Sequence, residues 1–250
     1  MPDAPCALRG DEPPALYWHV GTATGAGLLT VGAEVGRDTL APTACRWCAT
    51  NAFDRGVQGS LRWADPAAAD DLSDGMAFAA VPLLVGGAIV GLPVTNGTSN
   101  DWFPNMVYVA EAVAITGALN QGIKLTAARE RPSTEGSSDD NLSFYSGHTA
   151  LAFAAVASAG TVAELRGYRG AWAVWTVGIP MASFVGYLRV AGDQHWASDV
   201  LVGAAVGGGT GVLMPLLLHP RVARAASCTG DLSVTVMPGP TPGVVVQGRF

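Results

Sequence analysis

Three stretches of this 250-residue chain, Gly75 to Asn100, Gly170 to Leu188 and Val200 to Leu218, contain no Asp, Glu, Lys or Arg. About 20 predominantly apolar residues cross the hydrocarbon layer of a bilayer as a helix, so each run is long enough to span it. Three further segments behave similarly. Ala15 to Ala33 is uncharged but rich in Gly and Thr, Phe103 to Ile123 is broken by Glu111, and Phe144 to Ala163 carries His148 as its one basic residue. These six runs predict an all-α chain folded as a six-helix membrane bundle. Small residues within them, as in "GAAVGGGTG" from Gly203 to Gly211, weaken a soluble helix but let backbones approach closely in a membrane. A soluble all-α protein with buried helices is the alternative, which the modest mean hydropathy of +0.30 leaves open.

A net charge of −6 and a pI near 5.1 argue against a nucleic-acid partner, which requires a basic face. The first residues, "MPDAPCALRGDEPP", lack the basic and apolar regions of a signal peptide, so the helices themselves are expected to direct the chain to a membrane unless a leader precedes them. Three regions are expected. Residues 1–75 hold the first helix and a polar connection (36–75) with short surface helices and "CRWC", residues 76–220 form the core, and residues 221–250 form a tail. In that tail two β-prone runs flank a Pro/Gly turn, predicting a terminal hairpin or a loosely held segment. A zinc site needs four ligands, so Cys45 and Cys48 are expected as a disulfide or free thiols, with Cys6 and Cys228 far apart in sequence. Glu111, in the middle of the third helix, must face the bundle interior, set against Asn120 or another helix in a structural role.

The polar residues gather in three clusters. In "RVAGDQHWASDV" Asp199 follows His195 by four, so on a helix its carboxylate accepts from one ring nitrogen and leaves the other unprotonated as a nucleophile. In "KLTAARERP" Lys124 and Arg131 are seven apart, almost two helical turns, and point the same way before Pro132 stops the helix; two cations on one face suit an anion. In "SFYSGHTA" Ser146 and Gly147 open a helix, so free backbone N–H groups and the positive dipole end meet beside His148. By helix connectivity all three clusters fall on one membrane face. Singly, each has a plain structural reading: a headgroup-seeking cation, a helix cap, a satisfied histidine.

Together, Lys124 with six residues before Arg131, then Ser146-Gly147-His148, then Arg189 with five residues before His195 and three before Asp199, resemble the three-part signature of the type 2 phosphatidic acid phosphatase superfamily, which includes vanadium haloperoxidases. The resemblance covers roughly Phe103 to Leu218. Tyr145 stands where the family often has Pro, and Leu188 where it often has Ser, a lost hydroxyl that weakens one support of the phosphate site. The resemblance implies that Lys124, Arg131, Arg189, Ser146 and the Gly147 N–H bind the phosphoryl oxygens. His195, oriented by Asp199, attacks phosphorus to form a phosphohistidine, and His148 protonates the leaving oxygen and then activates water. No metal and no other cofactor is implied. Arg129 and Asp193 are given no direct role.

The expected substrate is a lipid or isoprenoid phosphate, with phosphatidic acid, phosphatidylglycerol phosphate and undecaprenyl diphosphate all fitting. Alternatives are a vanadate-dependent haloperoxidase and a non-catalytic membrane module that binds anionic lipids. The arginines of "LRGYRG" and "HPRVARAA" favour a bacterial inner membrane with the active site and "CRWC" on the outer, periplasmic face.

Overall fold

The computed structural model describes residues 13–135, 141–218, 232–237 and 243–248. The six expected runs correspond to six long helices, α1 (Pro13–Val35), the continuous α4 (Pro66–Gly75) and α5 (Val81–Thr95), α6 (Trp102–Ala127), α7 (Gly147–Leu165), α8 (Ala171–Ala191) and α9 (Ala197–Leu218). Short helices α2 (Arg37–Leu40) and α3 (Ala52–Leu61) lie in the connection after α1. Strands β1 (Leu232–Met237) and β2 (Gly243–Gly248) pair antiparallel, from Leu232 opposite Gly248 to Met237 opposite Gly243, so the tail forms the hairpin. Cys6, Cys228 and the "HPRVARAA" segment lie outside the described residues.

Four spans, Pro66–Thr95, Gly147–Leu165, Ala171–Ala191 and Ala197–Leu217, are long and apolar enough to cross a membrane. Helices α1 and α6 are as long but more polar, and they pack on each other across the buried Glu111. Glu111 meets His19 Nδ1 of α1 at 3.0 Å and accepts a hydrogen bond from Thr22. It does not pair with Asn120, whose amide donates to the Tyr145 carbonyl at 2.7 Å. Large apolar side chains point outward from the bundle, among them Trp18, Leu29, Leu83, Trp172, Leu201 and Leu217. Exposed apolar surface on that scale is stable against lipid and not against water, and the chain is an integral membrane protein.

Helix α7 is the hub, packed against α5, α6, α8 and α9. The small residues of α9 fulfil their expected purpose here. A Cβ on Gly203, Gly207 or Gly211 would stand 2.7, 2.1 or 2.7 Å from the carbonyl oxygens of Ser146, Ala150 and Ala154. Spaced by four, these glycines lay the α9 backbone directly on the first two turns of α7, fixing the loop before α9 against the start of α7.

Helix α4 begins earlier than the uncharged run suggested. Asp65 caps it by accepting from the Ala68 N–H at 3.2 Å, Pro66 occupies its first turn, and a π-helical segment at Met76–Ala80 carries it into α5. The first turns of this spanning helix therefore carry Asp70, Asp71 and Asp74.

Candidate active site

The C-terminal ends of α6 and α8, the N-terminal end of α7 and the loop before α9 meet at one end of the bundle. They enclose a cavity of about 620 Å³ whose wall includes Lys124, Arg131, Gly147, His148, Arg189 and His195. Thr30 and Glu34 of α1, Arg37, and Asp70 and Asp74 of α4 complete it. Six of the eight signature residues thus share one wall, while Ser146 and Asp199 lie buried behind it. Ser146 Oγ is 2.9 Å from Thr149 Oγ1, tying the first turn of α7 rather than facing the cavity. A Cβ at Gly147 would come 2.8 Å from Asn120 Oδ1, so a larger residue there would have to shift the Asn120 amide.

Lys124 and Arg131 reach the cavity by different routes. The expectation of one helical face fails because α6 ends at Ala127 and Ala128 turns the chain into the left-handed region at φ 46°. Arg131 is extended, at φ −82° and ψ 155°, as a residue before proline prefers. Its Nη1 donates to Gln194 Oε1 at 2.8 Å.

The His195–Asp199 pair also differs from expectation. Because α9 starts at Ala197, His195 lies in the turn before it and the i, i+4 helical geometry does not apply. His195 Nδ1 lies 2.8 Å from the Ser143 carbonyl and 3.9 Å from Asp199 Oδ2. A carbonyl only accepts, so Nδ1 carries the proton and Nε2 of the neutral ring is the lone-pair nitrogen. Burial, with Arg131, Arg189, Lys124 and His148 adding to it, pushes His195 well below the usual histidine range and keeps it neutral. Asp199 Oδ2 instead accepts from the Trp196 N–H at 3.1 Å and from Ser143 Oγ at 2.6 Å. It clamps both the backbone that carries His195 and the segment whose carbonyl orients the ring.

Arg129, given no role from the sequence, is the centre of a buried ion network. Its guanidinium donates to Asp199 Oδ1, to Asp54 Oδ2 at 2.7 Å and to Ser198 Oγ at 2.7 Å. Arg129 is 1 % exposed, and Asp54 and Asp199 are 0 % exposed. Asp54 comes from α3 and also accepts from the Ser198 N–H at 2.8 Å. Burial alone would raise the Asp54 carboxyl, but the Ser198 hydrogen bonds and Arg129 outweigh it and hold it below the usual carboxylate range. Asp193 anchors the same region, accepting from Gln58 and from Arg62 Nε at 3.0 Å. The connection after α1 is therefore part of the site's foundation and not only a surface feature.

Cys45 and Cys48 form a disulfide. The loop it closes docks on the segment after α6, with the Arg46 N–H donating to the Ala128 carbonyl at 3.0 Å. The Trp47 ring covers Arg129, 4.2 Å from its guanidinium carbon.

The acidic residues of α4 face the cations. Arg189 donates to Asp70 and lies 3.5 Å from Asp74 Oδ1, which is 2.9 Å from His148 Nε2. Gln194 Nε2 donates to Asp70 Oδ2 at 2.9 Å. Leu188 is wholly buried against Ala69 of α4, so where the family often has Ser this chain makes an apolar contact. Among the described residues no group of three or more His, Cys, Asp or Glu side chains is arranged to hold a metal ion.

Residues 105–223 match the model of the PAP2 superfamily. A lipid A 1-phosphatase from Porphyromonas gingivalis is 39% identical over 113 residues, which make up 45% of this chain and 23% of that protein. The chain thus spans less than a quarter of the length of that relative. No solved structure matches it. The six signature residues in the cavity wall all fall inside the segment that matches the PAP2 superfamily, to which just under half of this chain is similar.

Proposed function

We propose that the chain is a phosphatase that hydrolyses a phosphate ester or diphosphate of a membrane lipid or isoprenoid, through a phosphohistidine on His195 and without a metal. The observation that carries this reading is the meeting of three cations, two histidines and a helix N-terminus around one cavity at the end of an apolar bundle. Lys124, Arg131 and Arg189 neutralise the phosphoryl oxygens, and the free N–H groups at the start of α7 add donors.

His195 Nε2 forms the bond to phosphorus as the bond to the leaving oxygen breaks, and His148 gives its proton to that oxygen. His148 then removes a proton from water. The water oxygen attacks phosphorus, the P–N bond breaks and phosphate departs. Asp199 acts through Ser143 and the His195 backbone, a positioning role. The lipid A 1-phosphatase relative supports a lipid phosphomonoester as the substrate class. The site end of the bundle is proposed to face the periplasm of a bacterial inner membrane.

The test is phosphate release from lipid phosphates by the detergent-solubilised protein. His195→Ala should abolish it, and activity should survive excess EDTA and be blocked by orthovanadate, which takes the trigonal bipyramidal shape of the transition state. Turnover by His195→Ala within tenfold of the parent, or loss on chelation restored by Mg²⁺, would overturn the reading.

A further inference from the structure

We propose that Asp74 is the positioning residue that keeps His148 protonated for its role as general acid, an inference that rests on the phosphatase reading. The surroundings of His148 pose the problem. It shares the cavity wall with Lys124 of α6, Arg131 of the segment after it, Arg189 of α8 and the neutral His195 before α9. A general acid must carry the proton when the leaving oxygen departs, and the imidazole that has to hold it stands among three cations. Among the described carboxylates that line the cavity, Glu34 of α1 accepts from Gln121 and pairs with Arg37, while those of α4 face the cations and His148. Asp74 Oδ1 lies 2.9 Å from His148 Nε2, whereas Asp70 is turned to Arg189 and Gln194. The Phe78 ring, one turn further along the same helix, packs edge-on against the imidazole at 4.9 Å and holds it toward α4.

The geometry divides the work of the ring. The Nε2 proton is held by Asp74, which leaves Nδ1–H of the imidazolium to pass to the leaving oxygen as the P–O bond breaks. In the second half-reaction Nδ1 takes one proton from the attacking water, and the imidazolium is restored. Asp74 gains and loses no proton in the cycle. Its side chain is 55% exposed, so its effect belongs at the low end for an opposite charge in contact, about one pH unit. None of this is visible in the signature residues, because Asp74 lies outside the segment that matches the family.

Two readouts on the full chain test the inference, using Asp74→Asn and Asp74→Glu. The first is a titration of the ¹⁵N-labelled His148 ring in detergent, which needs no turnover. Asp74→Asn should lower the midpoint by about one unit, and Asp74→Glu should restore most of it. The second is kinetic. With an alkyl phosphate, whose alkoxide needs the proton, Asp74→Asn should lower kcat about tenfold and move its basic limb to lower pH, without raising KM, since Arg189 keeps Asp70. With 4-nitrophenyl phosphate, whose leaving group needs little help, the loss should be less than about threefold. An unchanged or higher His148 midpoint in Asp74→Asn, or equal slowing of both esters with the pH profile unmoved, would overturn the role of Asp74. Failure of the phosphatase reading would look different. The parent protein and His195→Ala would then release phosphate alike, and the His148 titration would still decide whether Asp74 holds its proton.

Discussion

Replacing Arg129 by Gln should destabilise the protein by about 3 kcal/mol and disable the site without touching any residue of the cavity wall. The side chain is 1 % exposed and lies between two carboxylates, Asp54 and Asp199, that are 0 % exposed. Removing one partner of a buried ion pair costs about 3–5 kcal/mol, because the charge left behind has lost its water and gained nothing. Here two carboxylates are left behind. Each keeps other donors, Asp54 the Ser198 N–H and hydroxyl and Asp199 the Trp196 N–H and Ser143 hydroxyl, which places the cost near the lower end. For a chain of this size 1 kcal/mol moves the melting temperature by about 2–4 °C, so a drop of roughly 6–12 °C is expected. The assay is thermal unfolding in detergent of the parent, Arg129→Gln, Asp54→Asn and the double variant. Neutralising Asp54 removes part of the uncompensated charge, so the double variant should lose less than the sum of the singles. A loss under about 1 kcal/mol for Arg129→Gln, or strict additivity in the double variant, would refute the idea that Arg129 neutralises both carboxylates.

Other expectations concern pH, packing and topology. His195 has a folded-state pKa well below its ordinary 6.5, so as pH falls below about 6.5 the unfolded chain takes up a proton that the folded chain refuses, and stability falls by up to about 1.4 kcal/mol per pH unit. His195→Asn should flatten that slope in melting curves between pH 7 and 5; an unaltered slope would contradict the buried neutral ring. Gly207→Val should separate α9 from α7, since even a Cβ would stand 2.1 Å from the Ala150 carbonyl oxygen, and both melting temperature and turnover should drop; a variant as stable as the parent would contradict the backbone contact. After reduction, Cys45 and Cys48 should react with an impermeant thiol reagent in intact cells, and protection until lysis would reverse the proposed orientation.

The sequence exposed most of what lies within single helices and little of what lies between them. Six uncharged or nearly uncharged runs became six long helices because so few charges leave only one solution for the backbone in lipid. The signature residues were legible because their spacing is local, and six of them share a wall. Errors arose where a helix was assumed to continue. Pro132 had already marked Arg131 as extended, and Gly192 ends α8 before His195. The partners of Arg129 and His148 were beyond reach, since Asp54 and Asp74 are 75 and 74 residues away along the chain. One signal for α4 was present and unused. "DPAAADD" reads as a capped helix start with Pro in its first turn, and extending that helix into the apolar run would have carried Asp70 and Asp74 to the site.

The claim that His195 carries the phosphoryl group can be tested by trapping the intermediate. With His148→Ala and a ³²P-labelled nitroaryl phosphate, the first step proceeds without an acid while the second lacks its base, so label should accumulate on the protein. The account predicts an acid-labile, alkali-stable adduct that maps to His195 and is absent from the His148→Ala/His195→Ala double variant. Label on another residue, or single-turnover phosphate release at the parent rate with no labelled protein, would contradict it.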